Sequence, residues 1–332
     1  MAYFEEEVLR YLGPAPFDCV IDFVGYSLFF ATLALATKAS RRLIWAHSDM
    51  KAEQQLRLIW LARVFSLYSQ FDALVSCSES LCEQNRQNFS DFRWGPIVFE
   101  ACRNVVDRQR VETGLATANI FSVDGADYLA EGELGERVTT LKAIPLSHQT
   151  ESGEWTRPKR FVMIGRLSPE KNYTETFKAF ALFVSEHPQA VLYVVGEGPQ
   201  EETLKALIAS LQMERHIFLI GRMENPARLL AQCDCFLLTS LHEGQPMVVL
   251  EARIARLPIL LAKFSSYESA CIENGQYLVE TDQASILEGL RAFDEGRVPI
   301  APFDAEAYNR TVLSTFDRLL VTPETSESAK VS

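Results

Sequence analysis

One segment of the sequence places two cations directly after an apolar run. The apolar run RFVMIG ends at Gly165, and Arg166 and Lys171 follow it, close to the expected start of a helix. A guanidinium, an ammonium and the amide groups of a helix amino terminus all attract a diphosphate, so these residues predict a diphosphate site. An ordinary surface loop with two solvated cations is the alternative interpretation.

A second segment, SLHEGQPMVVLEA, carries two carboxylates eight positions apart, Glu243 in a loop and Glu251 in the helix after it. A carboxylate inside an otherwise apolar helix needs a partner, and a sugar or ribose hydroxyl is a suitable one. Two carboxylates would repel a phosphate, so Glu243 and Glu251 are not expected to bind phosphate together. In the alternative interpretation, Glu251 pairs with Arg253 or Arg256 and only supports the fold.

A third segment, GEGP, begins with Gly196 after the run AVLYVVG. Glycine at this point lets the backbone approach a ligand closely. A G-x-G with no third glycine is a poor dinucleotide fingerprint, and a simple tight turn is the favoured interpretation. A nicotinamide oxidoreductase is therefore poorly supported.

These segments follow strands of an alternating strand and helix pattern in the second half of the chain. Parallel strands with helices on both faces form a doubly wound sheet, whose ligands bind at the carboxyl ends of the strands. We expect Ser168 to cap the first helix and Pro169 to begin it. The five predicted strands are 160–165, 190–196, 216–221, 235–240 and 257–262.

The first half of the chain shows the same alternation, with a buried helix over 26–37 and one long helix over 51–69. Ser78 or Ser80 is expected to cap a further helix over 81–89. The predicted strands of this half are 18–23, 43–45 and 73–78, with less distinct ones at 97–102 and 139–144.

Length favours two domains, because 332 residues exceed what one hydrophobic core usually spans. We expect a first domain at 1–150, a polar linker at 151–158 and a second domain at 159–302. A helix at 303–321 and a disordered tail at 322–332 follow.

Charge and cysteine content exclude some functions. The net charge of −12 disfavours nucleic acid as a partner. A basic surplus within 38–110 suits an anionic acceptor, a membrane surface or a solvated helix face. The seven cysteines are expected to be free thiols of a cytoplasmic protein, and no D-x-D or Cys/His pattern predicts a metal site.

The four motifs FVMIGRLSPEKN, LYVVGEGP, FLIGR and SLHEGQPMVVLEA resemble, in order and spacing, the donor half of retaining GT-B glycosyltransferases of the family 4 type (glycosyl transferases group 1). The resemblance covers about 159–300. It implies two Rossmann-like domains that face a cleft, and transfer of a sugar from a nucleoside-diphosphate sugar, with UDP-sugar as the expected donor. No additional cofactor is implied.

The resemblance also implies roles for residues of the matching motifs. Arg166 and Lys171, in the loop after Gly165, would hold the donor diphosphate, and Gly196 would lie in the same donor site. Glu243, with the backbone of Gly244 and Gln245, would contact the donor sugar, and Glu251 would hold the ribose. Gly221 and Arg222 would flank the base.

The first half is similar, more loosely, to the acceptor domain of the same family, through LIWAHSDM and ALVSCSES. His47 would then contact the donor sugar or the acceptor, although a structural histidine at a strand end is an equal alternative. The acceptor would be a capsular, teichoic-acid-like or lipid-linked glycan, with peripheral contact at the inner face of the membrane.

The chain begins close to its first predicted strand, whereas this family normally opens with further strands. We therefore expect a shortened amino-terminal domain, with a partner chain that completes its sheet as one solution. A non-catalytic module that binds nucleotide sugars is the alternative function. An epimerase or a phosphorylase of the same fold has no distinct signal in the sequence.

Overall fold

The computed structural model describes residues 2–56, 60–90, 97–131, 142–149 and 152–321, and they form two compact units. Unit 1 is built from 1–105 and 307–332, and unit 2 from 106–306. The first boundary therefore lies between Val105 and Val106, well before the linker expected at 151–158. The expected tail at 322–332 lies outside the described residues.

Unit 1 contains a parallel sheet in the order β1-β2-β3-β4, as its alternating pattern predicts. Ser78 caps α5, since its Oγ accepts from the amide of Leu81 at 3.2 Å. The helix expected over 51–69 corresponds to α3 and α4, and residues 57–59 between them lie outside the described residues. The elements are α1 (Ala2–Leu12), β1 (Phe17–Asp22), α2 (Leu28–Ala36), β2 (Ala39–Ala46), α3 (Met50–Leu56), α4 (Leu61–Tyr68), β3 (Ala73–Ser76), α5 (Glu79–Asn88) and β4 (Phe99–Ala101).

Helix α2 is less buried than its apolar sequence predicts. Its small residues Ala31 and Ala34 are buried, whereas Leu28, Phe29 and Phe30 are exposed. The prediction of a buried helix is therefore wrong for its first turn. Among the described residues, no helix has both the length and the apolar character needed to cross a bilayer.

Unit 2 contains a six-stranded parallel sheet in the order β12-β11-β10-β13-β14-β15, which confirms a doubly wound sheet. Helices α7, α8 and α11 contribute to the core on one face, and α6, α9 and α10 to the core on the other. The elements are α6 (Arg108–Ala116), β5 (Asn119–Val123), β6 (Ala126–Glu131), β7 (Lys142–Pro145), β8 (His148–Gln149), β9 (Trp155–Thr156), β10 (Arg160–Ile164), α7 (Tyr173–Glu186), β11 (Val191–Val195), α8 (Glu201–Ser210), β12 (Ile217–Gly221), α9 (Ala227–Leu230), β13 (Cys235–Leu238), α10 (Met247–Ile254), β14 (Ile259–Ala262), β15 (Tyr277–Val279) and α11 (Gln283–Asp294).

Strand order in this sheet reverses next to β10. The chain first moves outward from β10 to β12, then returns to place β13 on the other side of β10 and continues to β15. Loops that leave two neighbouring strands toward opposite faces open a crevice between them, and ligands of such sheets bind there. The loops after β10 and β13 carry Lys171 and Glu243.

Several elements of unit 2 were not predicted. Strands β5 and β6 were not expected, and they form an antiparallel sheet with β7, which overlaps the less distinct strand predicted at 139–144. Strand β9 lies inside the segment expected to be a linker. The sixth parallel strand, β15, has only three residues and follows the polar segment Glu273–Gln276.

The last helix, α12 (Ala305–Leu320), lies outside the alternation of unit 2, as predicted. Its residues Val312 and Leu319 share a buried cluster with Trp45 on β2 and with Val75 on β3. This helix therefore covers one face of the unit 1 sheet.

The carboxyl ends of β10 and β11 approach each other closely through Gly196. Its φ is +145°, and an added Cβ would lie 1.9 Å from the carbonyl oxygen of Gly165. The Gly196 amide in turn donates to the carbonyl oxygen of Gly221 at 2.9 Å. Glycine is therefore required here by the fold, whatever its contact with a ligand.

Replacement of Gly196 by alanine is expected to lower the free energy of unfolding by about 3 kcal/mol or more, because it adds a backbone clash to the strain of positive φ. Urea unfolding followed by circular dichroism measures the change. Gly296→Ala is the matched control, since Gly296 has φ of +71° with nothing within 4 Å of an added Cβ. That variant should lose only about 1 kcal/mol. Equal losses in the two variants would contradict the close approach.

Candidate active site

The segment between β10 and α7 is shaped by a tight turn that brings Lys171 back toward Gly165. Pro169–Lys171 form a single 3-10 turn, and Asn172 adopts a left-handed conformation with φ of 58° before α7 begins. The Lys171 side chain passes so close to Gly165 that its Cε would lie 3.1 Å from an added Cβ. The absence of a side chain at Gly165 therefore leaves space for Lys171.

The predicted capping role of Ser168 is wrong. Its hydroxyl makes no capping bond and donates instead to Glu170 Oε1 at 2.7 Å. The helix also starts later than expected, at Tyr173, because the left-handed Asn172 separates the 3-10 turn from α7.

Lys171 and Glu243 form the central contact of the site. Lys171 Nζ donates to Glu243 Oε1 at 2.5 Å, and only 17% and 13% of the two side chains are exposed. The same carboxylate oxygen accepts from Ser240 Oγ at 2.7 Å. The two predicted site loops are therefore joined by a partly buried ion pair, which the Leu241 amide reinforces by donating to the carbonyl oxygen of Glu170 at 2.7 Å.

The loop that carries Glu243 is held from behind by two buried serines. Ser266 Oγ donates to the carbonyl oxygen of Glu243 at 2.7 Å, and Ser269 Oγ donates to that of Gly244 at 3.1 Å. These bonds fix the backbone of Gly244 and Gln245 directly before α10. Sequence reasoning missed both serines, because no spacing connects them to the glutamate motif.

Arg253 anchors the segment that supplies those serines. Its guanidinium is 3% exposed and donates to the carbonyl oxygens of Ala270 and Gly275 and to Gln276 Oε1 at 2.6–2.9 Å. Both terminal nitrogens are used by these acceptors, the buried Nε has no partner among the described residues, and no described ion pair joins Arg253 to Glu251.

Glu251 has a different environment from Glu243. It lies four residues after the first residue of α10, partly buried, and no described residue forms a hydrogen bond or ion pair with its carboxylate. Burial raises its pKa above the usual 4.5, and the attraction of Arg110 offsets part of that rise. Among the described residues, Glu251 forms no ion pair with Arg253 or Arg256, so the alternative interpretation is wrong. A carboxylate in this state can accept from a ligand hydroxyl.

Arg166 and Arg222 are both exposed at carboxyl ends of strands of the unit 2 sheet. Arg166 follows Gly165 after β10, and Arg222 follows Gly221, the last residue of β12. Neither side chain forms an ion pair within the described part of the chain, so both cations are available to an anionic ligand. Gly196 links these two strand ends through its contacts with Gly165 and Gly221.

His47 lies in unit 1, at the carboxyl end of β2. Its Nε2 is 2.7 Å from the carbonyl oxygen of Phe23, and the Phe23 ring packs edge-on against the imidazole at 4.8 Å. These contacts fix the ring orientation. The predicted contact of His47 with donor or acceptor stays a prediction.

His242 lies in the motif SLHEGQPMVVLEA, and the sequence predicts no role for it. Its Nε2 is buried and has no hydrogen-bond partner among the described residues. It lies between Leu241 and Glu243 in the loop after β13. A buried unpaired ring nitrogen beside Glu243 is a further group to which a ligand can bind.

The arrangement is suited to a ligand that combines a diphosphate with hydroxyl groups. The Lys171 ammonium and the Arg166 guanidinium can bind phosphate oxygens, while Glu243 and Glu251 can accept from hydroxyls. Within the described ranges, no cluster of three or more His, Cys, Asp or Glu side chains is placed to hold a metal ion.

Residues 147–302 match the family model described as glycosyl transferases group 1. An uncharacterized glycosyltransferase of Methanocaldococcus jannaschii is 33% identical over 100 residues, which are 30% of this chain and 25% of that protein. A Campylobacter jejuni protein, N-acetylgalactosamine-N,N'-diacetylbacillosaminyl-diphospho-undecaprenol 4-alpha-N-acetylgalactosaminyltransferase, is 28% identical over 142 residues, 42% of this chain and 38% of that protein. The matches thus span between about a quarter and two fifths of these relatives.

A solved structure extends the likeness to nearly the whole chain. HepE of Anabaena, in complex with UDP-glucose, superposes with a TM-score of 0.61 at 16% identity and covers 96% of this chain and 81% of that one. At this identity the likeness shows the fold alone, which is the α/β fold of GT-B glycosyltransferases.

Glu251→Gln is expected to stabilise the chain at neutral pH, with no benefit in acid. As pH rises above 4.5, the unfolded chain releases the proton of Glu251 before the folded chain does, because burial raises the folded pKa. The natural chain therefore loses stability between 4.5 and the raised pKa, whereas glutamine does not titrate. Thermal unfolding at several pH values measures this difference.

The matched control is Glu202→Gln, because 86% of the Glu202 side chain is exposed. The thermal stability of this control variant should exceed that of the natural chain by little at any pH. A gain from Glu251→Gln that persists unchanged below pH 4.5 would contradict the proposed cause.

Proposed function

We propose that this chain is a glycosyltransferase that moves a sugar from a nucleoside-diphosphate sugar to a glycan or lipid-linked acceptor. The observation that carries the proposal is the ion pair between Lys171 and Glu243 at the strand reversal of the unit 2 sheet. It joins a cation suited to phosphate and a carboxylate suited to a sugar hydroxyl within one site.

In this proposal, Lys171 and Arg166 hold the donor diphosphate. Lys171 is now neutralised by Glu243, so an arriving diphosphate competes with the carboxylate for the ammonium. The exchange would release Glu243 Oε1, which would then accept from a hydroxyl of the donor sugar. Glu243, with the backbone of Gly244 and Gln245, would therefore contact the donor sugar once the diphosphate has bound Lys171.

The nucleoside would occupy the neighbouring strand ends. Glu251 supplies a partly buried carboxylate without a partner among the described residues, which suits the two hydroxyls of a ribose. Gly221 and Arg222 at the end of β12 would flank the base. We infer a UDP-sugar as donor, and the UDP-glucose bound by HepE supports that choice.

The chemical step would depend on electrostatics. As the bond to the sugar breaks, charge develops on the leaving diphosphate, and Arg166 and Lys171 would stabilise it. We propose transfer with retention, in which an acceptor hydroxyl attacks the anomeric carbon from the face that the diphosphate leaves, and an oxygen of the leaving phosphate takes the hydroxyl proton. Under this mechanism no side chain acts as nucleophile, and His47 would contact the donor sugar or the acceptor.

The acceptor is inferred from relatives. The Campylobacter jejuni protein acts, by its name, on a sugar carried by diphospho-undecaprenol. We propose a cell-envelope glycan or its lipid-linked precursor as the acceptor of this chain. An acceptor of that kind would bring a cytoplasmic protein to the inner face of the membrane.

Nucleotide binding tests the donor site. UDP should bind more tightly than GDP, CDP or ADP in calorimetric titration, and Arg166→Ala and Lys171→Ala should each weaken it by about tenfold or more, since each removes a charge-assisted bond. Lys178→Ala is the matched control, because Lys178 lies on α7 beyond the site and pairs with Glu175. Unchanged affinity in both site variants would disprove the proposed diphosphate site.

Turnover is a separate measurement. UDP-glucose and UDP-N-acetylglucosamine would be incubated with a lipid-linked acceptor, and the product's anomeric configuration read by NMR. Transfer with an α-linked product supports the enzyme. Binding of UDP with no transfer to any tested acceptor would favour the alternative, a module that holds nucleotide sugar without reacting.

A further inference from the structure

An open cavity of about 930 Å³ lies within unit 2, where helix α10 ends. Its lining comes from α6, from the end of α10 and from segment 300–305 at the start of α12. The volume is in the range of small-molecule binding sites. None of the residues assigned to the proposed donor site lines this cavity, so the two sites are separate.

Most of the cavity wall is apolar. Eight of the thirteen lining residues are apolar, and all three parts of the wall contribute to them. The Ile300 side chain is 56% exposed, so folding leaves much of its surface in water. A ligand with an apolar body would cover such surface and gain free energy by doing so. The largest apolar lining residues are Leu115, Ile254, Ile300 and Phe303.

Arg253, in the same wall, is a buried cation without a countercharge. It is 3% exposed, and no described carboxylate forms an ion pair with it. Its hydrogen-bond acceptors are all neutral, namely the carbonyl oxygens of Ala270 and Gly275 and the side-chain oxygen of Gln276. Burial lowers the pKa of this guanidinium to about 10. A buried charge of this kind is costly, and a nearby opposite charge reduces the cost.

The surrounding fold keeps this guanidinium in the wall. An added Cβ at Gly275 would lie 2.5 Å from Nη1 of Arg253, so the glycine leaves space for the guanidinium. Rotation of the group into solvent would break all three of its hydrogen bonds. The positive charge of Arg253 is therefore a fixed property of the cavity.

The other charged groups of the lining leave one cation without a partner. Arg108 donates to Glu112 Oε1 at 2.7 Å and also pairs with Glu306, so its charge is offset. Asp304 accepts from the amide of Glu306 at 3.0 Å, at the start of α12. Arg256 is exposed and forms no ion pair within the described ranges. With three arginines and two carboxylates, the lining carries a net charge of +1.

We propose that this cavity binds a small amphiphile that carries a phosphate or carboxylate group on an apolar body. The anion would bond Arg256 directly and would supply the missing countercharge for Arg253. The apolar body would cover Ile254 and Ile300. A neutral lipid would leave Arg253 uncompensated, and inorganic phosphate would leave Ile300 in water. A lipid-derived molecule and a soluble metabolite can share this chemistry, and neither requires the proposed donor site.

The test compares two phosphate probes, decyl phosphate and phenyl phosphate, with three controls. Decanol has the apolar body without charge, decyltrimethylammonium has the opposite charge, and inorganic phosphate has no apolar body. Binding to the full chain is measured by calorimetry at concentrations below micelle formation, and amide hydrogen exchange locates the site. At least one phosphate probe should bind about tenfold or more tightly than every control. Tighter binding of decyl phosphate indicates a lipid-derived ligand, and tighter binding of phenyl phosphate indicates a soluble metabolite.

Two protein variants separate the charge from the apolar wall. Arg256→Gln removes the exposed cation but keeps a side chain at this left-handed position, and it should weaken the better phosphate probe by about tenfold. Ile300→Ser removes apolar surface at an exposed site and should weaken that probe by at least about threefold. Arg215→Gln is the matched control, because Arg215 is exposed, forms no described ion pair and does not line the cavity. Thermal unfolding verifies that each variant folds.

The bound probe should protect the amides of α6 and of segment 300–305 from exchange. Protection confined to other parts of the chain, or unchanged affinity in both Arg256→Gln and Ile300→Ser, would overturn the proposal. Decanol that binds as tightly as both phosphate probes would overturn it in favour of a neutral ligand. A hexaglutamate peptide that binds more tightly than both probes would overturn it in favour of an acidic protein segment. Failure of the chain to bind UDP would contradict only the donor site.

Discussion

Where β10 and β13 lie side by side, the strand order of the unit 2 sheet reverses, and the candidate site depends on that junction. The loops after these two strands run toward helices on opposite faces, so a gap opens between them. The ion pair between Lys171 and Glu243 spans this gap. Its partial burial makes the pair a stronger link than an exposed one, because less water screens the charges.

The two glutamates show how position on the fold assigns different chemistry to one side-chain type. Glu243 lies in a loop, already bonded to Lys171 and Ser240. Glu251 lies inside helix α10, where burial favours its protonated form. The carboxylate of Glu243 is held in place by partners that a ligand can displace. The other carries a desolvation cost that a ligand hydroxyl can reduce.

The sequence predicts the doubly wound sheet of unit 2 because its strands are long, apolar and regularly separated by helices. Strand β15 escaped prediction because three residues carry too little periodicity. Order and spacing also put Lys171 and Glu243 in one predicted site, since both follow such strands, and the structure joins the two side chains in an ion pair. Their contacts with a ligand stay predictions. The supporting contacts of Arg253, Ser266 and Ser269 were not predictable, because they join segments through carbonyl oxygens that leave no pattern in the sequence. The left-handed conformation of Asn172, after which α7 begins, was likewise not predicted, because Ser168 followed by proline resembles an ordinary helix start.

Because α12 packs on β2 and β3, unit 1 is discontinuous along the chain, and unit 2 is inserted within it. A ribosome completes all of unit 2 before it releases Val312 and Leu319, which close one face of the unit 1 core. Unit 2 can therefore fold first during synthesis. Until α12 is made, Trp45 and Val75 in the first hundred residues lack the helix that covers them. Chaperone demand in the cell should consequently fall on the early part of the polypeptide, although it is the part made first.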